Sequence, residues 1–121
     1  MPAKRIPDAV GSAAVAGALT GSPGDLATAV RYLLQRLADA APGNSVEVRV
    51  PPFGAVQVIE GPRHTRGTPP NVVELAAPTW LAVATGRRSW ADAVAAGDVS
   101  ASGQRADLSA FLPLAWETME G

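Results

Sequence analysis

Apolar side chains at Leu26, Val30, Leu33, Leu34 and Leu37 recur at helical spacing, with Arg31, Gln35 and Asp39 between them. The stretch therefore predicts a helix with one apolar stripe. Ser22 predicts its N-cap, Pro23 its first turn, and Asp25 an acidic group three residues after the cap. An earlier helix is predicted over residues 8–19, set apart by the breaker run 20–24. Its Ala9, Val10, Ala13 and Ala16 have helical spacing but little bulk, which predicts a weak hold on the core and an adaptable flap.

After Ala41-Pro42-Gly43-Asn44 the helical repeat gives way to strict alternation. Residues 45–50 place valines on one face and charges on the other, and residues 55–60 alternate again after the turn Pro51-Pro52-Phe53-Gly54, so the two predict an antiparallel hairpin. Residues 61–70, rich in Pro and Gly, predict a loop. Residues 71–76 predict a third strand, with Val73 and Leu75 on the face opposite Val72 and Glu74. Pro78 opens a short helix carrying Trp80, Leu81 and Ala84. A second short helix is capped by Ser89, with Asp92 in the reciprocal position and Trp90 and Val94 as anchors. Residues 98–102 alternate as a fourth strand, and Asp107 predicts the cap of a closing turn. The fold class is α+β in a single domain over residues 1–121: a helical extension at 1–21, a core at 22–114 and a frayed tail at 115–121, where Trp116 has no evident core role.

Composition narrows what such a domain does. Ten Lys and Arg against eleven Asp and Glu leave a net charge of -1, so no basic field favours nucleic acid. Cysteine is absent, which removes disulfides, thiol nucleophiles and thiolate metal sites together. The Ala-rich run 9–19 is broken by Gly11, Ser12 and Gly17 and is too short to span a bilayer, and residues 1–6 lead into no Leu-rich signal core. The expectation is a cytoplasmic chain with no integral membrane segment. One histidine builds no multi-histidine metal site, no serine sits in a nucleophile elbow, and no glycine pattern forms a phosphate loop. The sequence therefore predicts no enzyme, no cofactor and no bound metal.

The segment Pro78-Thr79-Trp80-Leu81-Ala82-Val83-Ala84-Thr85-Gly86 carries a resemblance, which continues through Ser89-Trp90-Ala91-Asp92-Ala93 to Gly97-Asp98-Val99-Ser100-Ala101-Ser102-Gly103. A short helix ending Thr-Gly, a helix with an Ala-rich face and a strand ending in Gly occur in that order. Together with the preceding helix, hairpin and third strand, the pattern resembles the sterol-carrier-like family, especially its small actinobacterial members, over about residues 25–114. The resemblance implies a curved, mainly antiparallel sheet of four to five strands, with helices packed on one face and an apolar cavity between the layers. It also implies a carrier for a sterol, a fatty acyl chain or a similar apolar molecule. The chain is similar as well to the C-terminal portion of some actinobacterial thiol-dependent isomerases, whose catalysis sits in a separate helical domain. That likeness implies presenting a ligand or docking on a partner rather than making bonds.

Two groups of residues suit an amphipathic ligand. Leu33, Leu37, Val73, Trp80 and Trp90 are candidates for the walls of an apolar cavity, and the same residues equally suit a filled core. Arg63, His64, Arg66 and Thr68, with Asn71 following, place two guanidiniums, an imidazole and a hydroxyl where a carboxylate or phosphate head would be gripped. Their alternative role is a solvated loop, with Arg63 or Arg66 pairing with Glu60 or Glu74. A further reading makes the domain an interaction module that binds no lipid, docking on an enzyme or forming a homodimer through the Ala/Gly-rich first helix and exposed tryptophans.

Overall fold

The computed structural model describes residues 4–61 and 71–117. Among the described residues, four α-helices occur in chain order: α1 (Asp8–Leu19), α2 (Leu26–Ala40), α3 (Ala77–Ala84) and α4 (Trp90–Ala95). Four strands, β1 (Val46–Val50), β2 (Gly54–Val58), β3 (Asn71–Leu75) and β4 (Val99–Ser102), form one sheet in the order β2-β1-β3-β4. The fold is α+β, as the alternating pattern predicts.

The predicted hairpin is present, with Val46 opposite Val58 and Val50 opposite Gly54. β3 and β4 are antiparallel too, but β1 and β3 run parallel, so the sheet is mixed. The register explains why no helical crossover is needed. Val58 and Asn71 both stand opposite Val46, so β2 ends and β3 begins at the same end of the sheet, on either side of β1.

One face of the sheet is covered by helices. Val46, Val48, Val50, Val58, Val73 and Leu75 are buried in one cluster with Val30, Leu33 and Leu37 of α2 and Trp80 and Ala84 of α3. Trp80 buries its ring completely and still satisfies its indole, whose Nε1 donates to Val30 O at 3.3 Å. The opposite face carries Glu47, Arg49, Gln57, Glu74, Ser100 and Ser102, which are half-buried or exposed. Arg49 Nε donates to Glu47 Oε2 at 3.0 Å there.

Several local expectations change. Ser22 accepts no capping bond: residues Pro23–Asp25 form a 3-10 turn, and Ser22 N donates to Gly17 O at 2.9 Å to close α1. The Asp25 carboxylate lies against Gly17 instead, in space that a side chain at Gly17 would fill. The Ser89 cap is present, its Oγ accepting from Asp92 N at 3.0 Å, yet Val94 is 44% exposed. In so short a helix only one flank points inward, and Ala93 takes that place beside the half-buried Trp90. Asp107 caps the closing turn by accepting from Ser109 N at 2.8 Å. Its carboxyl is held below the ordinary value by bonds from the backbone and side chain of Ser109. Beyond it, Leu114 N donates to Ala84 O, Arg36 Nε donates to Ala115 O, and Trp116 packs half-buried against the core.

Candidate ligand groove

Leu33 and Leu37 of α2 point into the core, while Leu34 and Ala38 lie on the adjoining flank with Thr28, Arg31, Gln35 and Asp39. That flank forms the floor of a groove of about 800 Å³. One wall is the turn and edge strand from Phe53 to Val56, and the other is the segment from Lys4 to Pro7 with Val10 of α1. Three separate stretches of chain thus supply Ile6, Val10, Leu34, Ala38, Phe53 and Val56 to one apolar surface.

Polar bonds brace the walls. Arg31 Nε donates to Phe53 O at 2.8 Å, tying the floor to the turn. Asp39 accepts from both terminal nitrogens of Arg5, at 3.1 and 2.8 Å. The hydrogen bond and the charge of Arg5 hold the Asp39 carboxyl below its ordinary value, and the same bond raises Arg5. A smaller hollow of about 330 Å³ lies beside Glu74, Asp98 and Ser100. Its acidic lining, with Asp98 paired to Arg88, does not suit an apolar chain.

The predicted wall residues sit elsewhere. Leu33, Leu37, Val73 and Trp80 each have no exposed surface, and neither they nor Trp90 line the groove. Asn71 is buried and spends its amide on the backbone, donating to Ser45 O at 2.8 Å and accepting from Arg105 N at 2.9 Å. Arg63, His64, Arg66 and Thr68 lie outside the described residues.

The chain leading to them is described as far as Gly61. Ile59 has a φ of 66°, in the left-handed region that a β-branched residue avoids. Three hydrogen bonds enforce it. Ile59 N donates to Ala41 O at 2.7 Å, and Ile59 O accepts from Ser45 N at 3.0 Å and Ser45 Oγ at 2.6 Å.

The apolar residues of the groove were missed by sequence reasoning for two reasons. The alternation of Leu34 and Ala38 with Leu33 and Leu37 signals a stripe wider than one contact surface needs, which is the only trace of the floor in the pattern. The contribution of residues 4–7 has no periodic signal at all. Among the described residues, no group of three or more His, Cys, Asp or Glu side chains is placed to hold a metal ion, and no helix is long and apolar enough to cross a membrane.

The family model described as bacterial SCP ortholog matches residues 23–114. No curated protein matches the chain. The matched span begins after α1, so the Ile6 and Val10 wall of the groove precedes it, whereas the floor and the edge-strand wall fall within it.

Proposed function

The chain belongs to the bacterial SCP ortholog family, a sterol-carrier-like family, and from that premise we propose that it is a non-catalytic carrier which seats an apolar or amphipathic small molecule in the groove beside α2. The observation that carries this reading is the groove itself. Its volume of about 800 Å³ lies within the range that holds a small-molecule ligand, and its apolar lining is the outer flank of the core, built on the buried Leu34 with Ile6, Ala38, Phe53 and Val56 packed against it.

Arg63, His64, Arg66 and Thr68 are proposed as the anchor for an anionic head. Support comes from the point where the chain departs toward them. The described chain stops at Gly61, two residues after Ile59, which is bonded to Ala41 one helical turn beyond Ala38 of the groove floor; a head group held by those four residues with an apolar tail in the groove is the arrangement proposed. Trp90 is kept as a proposed contact at the margin of the core.

Filling the groove tests the assignment. Val56→Trp and Ala38→Trp place bulk on a half-buried wall and floor, so the variants are expected to fold with near-parent stability and to lose saturable binding of a fatty-acid and sterol panel. Unchanged binding in both variants removes the groove as the site.

A second reading, docking on an enzyme or another copy through α1, is favoured by one observation. Ala9, Val10, Ala13 and Ala16 make an exposed face of small apolar side chains, with Val10 54% exposed. Light scattering that finds a monomer at high concentration, together with the absence of a partner in pulldowns, would eliminate it.

A further inference from the structure

One wall of the groove is chain that regular secondary structure does not hold. Residues 4–7 precede α1 and belong to no helix or strand, yet each lines the groove. Three side chains of α2 fasten this stretch and the first turn that follows it. Gln35 uses its amide twice, accepting from Ile6 N at 2.9 Å and donating through Nε2 to Ile6 O at 3.0 Å. Asp39 holds the Arg5 guanidinium, and Tyr32 OH donates to Asp8 Oδ1 at 2.9 Å. Positions 32, 35 and 39 fall on one flank of the helix, so a single row of side chains makes the attachment.

Little bulk supports that row. The buried positions of α1 are Gly11, Ala14 and Val15, and the Tyr32 ring occupies the space that a side chain at Gly11 would need. Small side chains remove little apolar area from water, so the docking of this helix is weak beside that of α2 with its three buried leucines. The Arg5–Asp39 pair is exposed, and exposed pairs contribute little on their own. The half-buried Gln35 bonds are therefore the principal latch.

We infer that residues 4–10 form a releasable strap over the groove. Closed, Ile6, Pro7 and Val10 complete its wall. Released from Gln35 and Asp39, the segment uncovers Leu34, Ala38 and Val56 while α2 and the sheet stay folded. Segments of low local stability serve as gates because they open without global unfolding. The gating consequence rests on the carrier reading, whereas the local opening does not.

The chain has no cysteine, so an Arg5→Cys/Asp39→Cys variant joined by a short bismaleimide pins the strap shut at one defined place. The probe is dansyl-labelled undecanoic acid, released into phosphatidylcholine vesicles and followed by stopped-flow fluorescence. The tether is expected to slow release by about tenfold or more, and Gln35→Leu to speed it about tenfold, as the loss of two hydrogen bonds implies. Equal release from the parent, the tethered protein and Gln35→Leu overturns the strap.

Amide exchange separates this inference from the carrier reading. If the probe binds nowhere, the carrier reading fails, and exchange alone decides the strap. Ile6 N–H is expected to exchange at least about a hundredfold faster than Leu33 N–H, and a further tenfold or so faster in Gln35→Leu with Leu33 unchanged. Exchange of Ile6 in step with Leu33 overturns the inference.

Discussion

Tyr32 is the single tyrosine of the chain, and its buried ring separates α1 from α2 while its hydroxyl donates to Asp8. Burial, and next the bond to Asp8, raise its phenol above the ordinary value. A group raised on folding stabilises the protein fully below its unfolded value, about 10 for tyrosine, and loses that contribution as pH rises through the folded value. Phenolate absorbance is expected to appear later in a base titration than for free tyrosine. Asp8→Asn should move it back only in part, since burial remains; an unshifted parent titration would contradict the docking of α1. Asn71 makes a different demand. Asn71→Ala leaves Ser45 O and Arg105 N without their partner, so chemical denaturation should show a loss of about 1–3 kcal/mol, as expected when one buried group is left unpaired and a second, part-buried one can turn to water. Loss of ligand affinity at full stability would instead make Asn71 a contact residue. For the proposed anchor, Arg63→Ala or Arg66→Ala should weaken a carboxylate ligand by about 1.5–3 kcal/mol, with Lys restoring only part because it lacks the two-point fork. Titration calorimetry against the matching alcohol, which should bind all variants alike, checks this.

At the scale of elements, the patterns that repeat locally were legible. α2, the hairpin, β3 and the Ser89 cap all follow from the spacing of a few residues, because periodicity reports which face of an element is apolar. It does not report what that face meets. Leu33 and Leu34 are adjacent leucines of equal hydrophobicity and both are buried in the core, yet the docking of β2 and residues 4–7 makes Leu34 alone a part of the groove floor as well. The parallel pairing of β1 with β3 was illegible for a similar reason: it depends on where the chain returns after Gly61, not on any residue in either strand. Ser22 does not cap with its side chain because the Asp25 amide that its hydroxyl would accept donates instead to Ser22 O, at 3.2 Å, within the 3-10 turn. Close approach of α1 to α2 depends on Gly11, and Gly11→Ala forces a methyl against the Tyr32 ring. A cost of about 1–3 kcal/mol is expected from such overpacking, measured by thermal melts, with early loss of α1 protection in exchange. An unaltered melt would mean that the helices are not packed through this contact.

For the whole molecule, the filled layer between sheet and helices and the open groove on the flank of α2 divide the labour. The first supplies stability through Trp80 and the aliphatic cluster, and the second leaves apolar surface for a guest. The core residues expected to line a cavity, Leu33, Leu37, Val73 and Trp80, are spent on the first task. The central claim is that the second task exists. Native mass spectrometry of the full chain purified from its own host, followed by extraction of whatever is bound, tests it most directly. The account predicts a stoichiometric apolar or amphipathic molecule on the parent protein and its absence from Val56→Trp. A parent protein that carries no such molecule, and that gives neither saturable binding nor a thermal shift with a lipid panel, would contradict it.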